Sequence, residues 1–331
     1  MSVPGIGIPA VDPGFEASLI AALDDVEQRL LATVKTDDFV LSEASRHLMQ
    51  AGGKRFRPML TLTAAGFGDI DAPGVIPAAV VVELTHVATL YHDDVMDEAE
   101  LRRGAPSANA RWDNTVAILT GDFLFACASN VLADLGAESV RIQARTFQRL
   151  VRGQLNETVG ARGGDDPVAH YFSVLSDKTA SLIAASARLG ALHAGTDAEV
   201  VDIMDRYGER IGMAFQLADD LLDIVGESAI SGKVPGTDLR EGVATLPVLY
   251  ARRSARPGDE RLLHLIDGPV VDDADHAEAL RLLRAHPAME EARADVLRWA
   301  ADARAALEPL PDGPAKAALD SLCDLVTDRT T

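Results

Sequence analysis

Apolar residues recur three and four positions apart along almost the whole chain, whereas strict apolar and polar alternation bounded by hairpin turns is hard to find. The periodicity predicts an all-α fold, with helices over residues 15–35, 38–51, 57–66, 75–98, 114–135, 138–160, 167–175, 177–194, 197–225, 240–254, 274–285, 289–308 and 313–328. Between them lie AGGKRFRP, FGDIDAPG, RRGAPS, ARGGDDP and GESAISGKVPGTD, rich in the Gly, Pro and Asp of loops. No repeat of fixed period and no clear linker divides the chain. The expectation is one helical domain over residues 15–331 behind a flexible arm over 1–14. From about residue 255 the helices carry more Arg, Asp and Glu, the pattern of a solvated outer layer.

Composition narrows the possibilities. With 331 residues, 47% of them hydrophobic, the chain can bury a substantial core. A formal net charge of -20 argues against a general nucleic-acid binder, since phosphate backbones would be repelled. A small anion needs only a few placed cations and remains compatible. The longest apolar run, VIPAAVVVELTHVATLY, is interrupted by Glu83 and His86 and falls short of the roughly 20 residues that cross a bilayer. It predicts a buried helix and no transmembrane segment. The N-terminus has neither the basic nor the apolar region of a signal peptide. Cys127 and Cys323 lack metal-ligand spacing and read as reduced thiols of a cytoplasmic protein.

The chemistry concentrates where long apolar helices end. HDDVMDEAELRRG carries Asp93, Asp94 and Asp97, and QLADDLLDIVG carries Asp219, Asp220 and Asp223. Aspartates four apart stand on one helix face and repel each other. At a helix C-terminus each also opposes the macrodipole, at about 0.3–1 kcal/mol. One such cluster can be an exposed acidic surface. Two, each breaking both rules, suggest carboxylate ligands for a hard divalent cation. Mg2+ suits them, because it takes one or two carboxylates and completes its shell with water and phosphate oxygens. Cations for a phosphate ligand are present as Lys54, Arg55 and Arg57 in GGKRFRP and as Arg102 and Arg103 after the first cluster. The GxxxxGK[ST] spacing of a phosphate loop is absent.

In order, the segments GGKRFRP, ELTHVATLYHDDVMD, RRGAPS, GDFLFACAS, SDKTASLI, FQLADDLLDIVG and GKVPGTDLREG followed by TLP resemble those of the trans-isoprenyl diphosphate synthases, or polyprenyl synthetases. The resemblance runs from about residue 52 to 247. It implies the isoprenoid synthase type I fold, an antiparallel helical bundle around a deep central cavity, usually dimeric, with head-to-tail condensation as its activity. An allylic diphosphate, bound through Mg2+ to both clusters with three ions when substrate is present, would ionise and be attacked by isopentenyl diphosphate. Carried over residue by residue, Asp93, Asp97, Asp219 and Asp223 are implied metal ligands, with Asp94 a weaker candidate. Lys54, Arg57, His86 and Arg103 match the isopentenyl diphosphate site. Arg102, Lys178, Lys233 and Gln216 match the allylic site, and Thr179 and Gln216 would turn oxygens toward the cation. One departure stands out: Val243 occupies a position commonly held by lysine, one turn from Arg240.

In this family bulky residues just above the first cluster stop chain growth. Here those positions are Ala88 and Thr89, with Thr85 a further turn up, all of them small. The implied product is longer than farnesyl, with Phe123, Phe125 or Met213 as candidates to close the cavity from neighbouring helices. A geranylgeranyl diphosphate synthase is the nearest alternative. A class I terpene cyclase and a non-catalytic subunit of a heteromeric synthase are the others. The expected partners are the two diphosphate substrates and a second copy of the chain, with transient membrane contact as product leaves.

Overall fold

The computed structural model describes residues 12–226 and 235–329, so Lys233 lies outside the described residues. Helices run Pro13–Thr33 (α1), Phe39–Gln50 (α2), Phe56–Ala65 (α3), Val75–Met96 (α4), Ala108–Arg111 (α5), Asn114–Leu135 (α6), Ala137–Val159 (α7) and Pro167–Leu175 (α8). A π-helical turn, Ser176–Ala180, leads into Ser181–His193 (α9) and Ala198–Val225 (α10). Thr237–Glu241 (α11), Leu246–Ser254 (α12), Glu260–Leu265 (α13), Asp273–Arg284 (α14), Ala288–Ala306 (α15) and Pro314–Asp328 (α16) follow. The all-α expectation holds.

Part of the acid excess is spent at helix starts, where the dipole favours it. Asp12, Asp38, Asp113, Asp166 and Asp272 each accept a first-turn backbone N–H, at 2.7 to 3.0 Å.

The chain forms two compact units. The first takes in residues up to 147, 182–208 and 309–322. Its centre is α4, which packs on α1, α3 and α6 and is buried on most of its circumference from Val75 to Tyr91. The Tyr91 hydroxyl donates to Ala44 O and accepts from Leu48 N, fixing α4 to α2. Helices α3 and α9 approach backbone to backbone at Gly190, where a Cβ would lie 2.0 Å from Thr61 O. The second unit takes in 148–181, 209–308 and 323–331. In it α12 packs on α15, joined by the Tyr250 hydroxyl donating to Asp295.

Four expectations change. The helix expected over 240–254 is two, because Gly242 at φ +78° ends α11 and Thr245, in extended conformation ahead of Leu246-Pro247, starts α12 afresh. Short helices α5 and α13 sit in stretches read as loop. RRGAPS holds a two-residue hairpin, Leu101–Arg102 paired with Ala105–Pro106, whose turn residues Arg103 (φ +55°) and Gly104 (φ +76°) are both left-handed. That is the type I′ geometry matching strand twist. Finally, α4 and α6, at 22 residues each, are long and apolar enough to cross a membrane by length and composition. By that measure the apolar run of α4 does not fall short, and Glu83, which interrupts it, is buried in an ion pair with Arg55 at 2.9 Å. The α4 window is 67% buried inside the protein.

Gly190→Ala should destabilise the first unit by about 1–3 kcal/mol or more, because the new methyl meets backbone rather than a movable side chain. Urea denaturation measures the loss.

Candidate active site

In the first unit, α4 ends at the first cluster. Asp97 closes the helix, its N–H bonded to Asp93 O at 2.8 Å, so the two carboxylates lie one turn apart on one face. Asp93 is half-buried and Asp97 exposed. Asp94 points the other way. It is fully buried and accepts from Arg102 Nε at 2.6 Å, while its Oδ2 has no partner. Burial pushes the Asp94 carboxyl up, with Asp97 adding to the rise and Arg102 opposing it.

The hairpin holds Arg103 against the GGKR loop. Arg103 donates to Leu48 O at 2.8 Å and to Gly52 O, and Gly53 gives it room, since a Cβ there would lie 2.9 Å from the guanidinium carbon. Arg102 and Arg103, both expected at phosphate, are thus already engaged with Asp94 and with loop carbonyls. Arg55 is buried and bound to Glu27, Glu83 and Met49 O. It anchors the loop that carries exposed Lys54. Arg57 is pushed down to about 10, chiefly by burial and also by the Arg103 charge, against the pull of Glu83, and its Nε is buried with no hydrogen-bond partner. Burial, reinforced by Arg57, Arg103, Arg102 and Arg55, holds His86 well below the ordinary histidine range. Neutral imidazole therefore sits among guanidinium groups.

The second unit carries the other predicted groups. Thr179 donates to Gln216 Oε1 at 3.2 Å, and Gln216 Nε2 donates to Asp220 Oδ1 at 2.9 Å. Asp220 is buried, also accepts from the Tyr171 hydroxyl, and is pushed up to about 6, mainly by burial and further by Asp219 and Asp223. Asp219 lies 3.6 Å from Arg329. Asp223 accepts from Thr237 N and Asp238 N, each at 3.1 Å. Lys178 pairs with Glu157. It sits in the π-helical turn, which Asp177 fastens to Arg149 (2.8 Å) and Arg152 (2.5 Å) on α7. Arg240, weighed as a substitute for the lysine missing at Val243, is turned onto Asp273 at 2.6 Å and Val271 O.

On α4, Ala88 and Thr85 are fully buried and Thr89 is half-buried. Thr85 accepts from Gln143 Nε2 at 2.6 Å. Phe125 stacks on Phe147, with centroids 4.5 Å apart, and on His92 at 5.8 Å.

Among the described residues no group of three or more His, Cys, Asp or Glu forms a ready-made metal site. The carboxylates come as the pairs Asp93/Asp97 and Asp219/Asp223, which fit a divalent ion that takes few protein oxygens and fills its shell from phosphate and water. Tyr171, Asp177 and Arg149 escaped the sequence reading because their partners lie 25 to 60 positions away, and Asp220, read there only as a member of the second acidic cluster, takes the Tyr171 hydroxyl 49 positions away. Glu83 carried a usable signal, a charge in the middle of an apolar helix.

A family model described as polyprenyl synthetase matches residues 38–283. The chain is 49% identical to nonaprenyl diphosphate synthase of Mycobacterium tuberculosis, over 99% of this chain and 99% of that protein. Among solved structures it is similar to geranylgeranyl pyrophosphate synthase from Corynebacterium glutamicum complexed with calcium and isoprenyl diphosphate, with TM-score 0.89, 45% identity, and 98% and 99% of the two chains covered. It is also similar to a decaprenyl diphosphate synthase from Rhodobacter capsulatus, with TM-score 0.87, 34% identity, and 96% and 98% covered.

Because His86 is held neutral, the folded protein binds fewer protons than the unfolded chain below the ordinary histidine range, and stability rises with pH as the unfolded imidazole gives up its proton near 6.5. His86→Gln should flatten this rise between about pH 5 and 7 while leaving the curve above it parallel to wild type. Urea denaturation across that range measures it. Identical slopes would remove His86 from the cationic cluster.

Proposed function

This chain belongs to the polyprenyl synthetase family, and from that premise we propose that it condenses isopentenyl diphosphate with an allylic diphosphate, primed by farnesyl or geranylgeranyl diphosphate. The product is an all-trans polyprenyl diphosphate longer than farnesyl, and the enzyme is a prenyltransferase. One observation carries the site assignment. A protein of net charge -20 gathers Arg55, Arg57 and Arg103 around a neutral histidine, and Glu27 and Glu83 balance only part of that charge. Arg57, with its unpartnered Nε, calls for an anion.

In this reading Lys54, Arg57, Arg103 and His86 hold isopentenyl diphosphate. Neutral His86 donates a hydrogen bond there without adding a further charge to the arginines. Asp93 and Asp97 at the end of α4, and Asp219 and Asp223 on α10, hold divalent metal, taken as Mg2+ with three ions when substrate is bound. Bound there, the metal supplies Lewis-acid stabilisation of the charge growing on the departing diphosphate. Lys178, Lys233 and Arg102 add cations to that diphosphate. The allylic C–O bond breaks, the double bond of isopentenyl diphosphate attacks the resulting cation, and loss of a proton restores an alkene.

Asp220 positions the group facing that cation. A carboxylate only accepts hydrogen bonds, so it takes the amide N–H of Gln216 and leaves the amide oxygen toward Thr179. Neutral oxygens stabilise a cation without capturing it. Arg240 is tied to Asp273 and Val271, so the missing lysine at Val243 has no local replacement from it.

The assembly we propose is a cytoplasmic homodimer that touches membrane transiently as product leaves. Val140, Phe147, Val151 and Leu155, seven, four and four positions apart on α7, keep one face of that helix apolar and exposed.

Asp93→Ala and Asp219→Ala should each lower turnover by about a hundredfold or more, assayed with Mg2+, isopentenyl diphosphate and radiolabelled farnesyl diphosphate. Normal turnover in either variant would sink the metal assignment. A cyclic hydrocarbon formed from the allylic substrate alone would replace the reading with a cyclase.

A further inference from the structure

The π-helical turn Ser176–Ala180 carries Lys178 and Thr179 and closes with the Ser181 N–H on Ser176 O. A turn of this kind holds one residue more than a regular α turn and is rare, because it breaks the α ladder where it is inserted. Here the break has side-chain partners. Ser176 O also accepts from Arg149 Nη2 at 2.9 Å, and Asp177 O accepts from the Ser181 hydroxyl at 2.6 Å. On α7, Gly153 lets the turn lie against backbone, since a Cβ there would come 2.5 Å from Lys178 N.

Arg149 does more than cover this break. Its Nε donates to Asp177 Oδ1 at 2.8 Å, and its terminal nitrogens take both oxygens of Glu209, Nη1 to Oε2 at 2.9 Å and Nη2 to Oε1 at 2.7 Å. The Ser176 hydroxyl joins the two, accepting from Nη2 at 2.7 Å and donating to Glu209 Oε1 at 2.6 Å. Glu209 stands on α10 about two turns before Gln216, on the same face. One planar guanidinium therefore ties α7, the π turn and α10 together, all within the second unit. Stability alone is a poor reason for this arrangement, because gathering Arg149, Arg152 and Glu209 around a buried Asp177 costs desolvation that an apolar contact would avoid. What the network fixes is register. Thr179 on the turn meets Gln216 on α10 at 3.2 Å, and these are the two side chains read as turning oxygens toward the allylic cation.

We propose that Arg149 is a positioning residue for the allylic half of the reaction: by holding the π turn and locking it to Glu209, it sets where Lys178, Thr179 and Gln216 stand relative to one another. This role rests on the reading of Lys178 and Thr179 as groups that meet the allylic substrate, and the experiment separates the two.

The full-length protein is assayed with Mg2+, isopentenyl diphosphate and farnesyl diphosphate, measuring kcat and both KM values, with folding followed by urea denaturation. Arg149→Lys keeps the charge and loses the planar fork. It should lower kcat/KM for farnesyl diphosphate about ten- to a hundredfold, the scale set by displacing groups at a reacting centre. The KM for isopentenyl diphosphate, whose proposed ligands lie in the first unit, should stay at the wild-type value. Glu209→Gln, which loosens the same lock from α10, should act in the same direction. Lys178→Ala should lower kcat/KM for farnesyl diphosphate by itself, and adding Arg149→Lys to it should cost clearly less than the product of the two single losses, because Arg149 acts through the turn. A lower urea midpoint with kcat/KM unmoved, an equal rise in both KM values, or losses that multiply would each overturn the positioning role. If Lys178→Ala and Thr179→Ala both leave kcat/KM unmoved, the reading of the turn falls and the role of Arg149 with it. Should Arg149→Lys fail to fold, Glu209→Gln, alone and combined with Lys178→Ala, decides by the same criteria.

Discussion

Two negative charges one turn apart at the negative end of a helix repel each other and the helix that carries them. The structure meets this constraint twice, in the pairs Asp93/Asp97 and Asp219/Asp223, and much of what surrounds them can be traced to it. Helix α4 does not depend on favourable ends, because most of its side chains are buried. The third acid of each cluster is turned inward and used for structure. Asp94 takes Arg102 and so fixes the hairpin, while Asp220 takes Tyr171 and Gln216. Asp223 is steadied by two backbone amides. Each cluster therefore divides its labour between acids that project and an acid that braces.

The cationic side follows the same logic with the signs reversed. Burial chiefly pushes Arg57 and Arg103 down, and neighbouring charge adds to it, that of Arg103 on Arg57 and those of Arg55 and Arg102 on Arg103. Glu83, buried in the middle of α4, opposes that fall, and Glu27 on α1 helps by pairing with Arg55. His86, one turn after Glu83 on the same helix, responds by staying neutral. Helix α4 thus carries the counter-charge of the basic group, its histidine and the acidic pair, with an apolar surface between. A ligand with a charged head and a greasy tail fits that sequence of surfaces.

Much of this was legible in the chain. Helical periodicity gave the long helices to within a few residues but neither short helix, α5 or α13, and the i, i+4 spacing placed Asp93 with Asp97 and Asp219 with Asp223 on common faces. The left-handed residues of RRGAPS were less visible, since Arg103 at positive φ has no strong sequence signature and only Gly104 beside it suggests a tight turn. The π-helical turn at Ser176–Ala180 was invisible to a method that counts in steps of 3.6, and it depends on Arg149 and Arg152 from another helix. Partnerships such as Tyr171 with Asp220, or Gln143 with Thr85, are made by tertiary packing between positions 49 and 58 apart. Local pattern carries no information about them.

Product length belongs to this last class. A synthase named for a nonaprenyl product and one named for a geranylgeranyl product are 49% and 45% identical to this chain, each over nearly its whole length. Backbone architecture at that level of similarity is common to all three, so it does not distinguish a shorter product from a longer one. The distinction has to reside in a few side chains along the path of the hydrocarbon. On α4 those positions are small and identify themselves in the sequence as Ala88, Thr89 and Thr85. Small residues only fail to obstruct, and a length limit needs something that does.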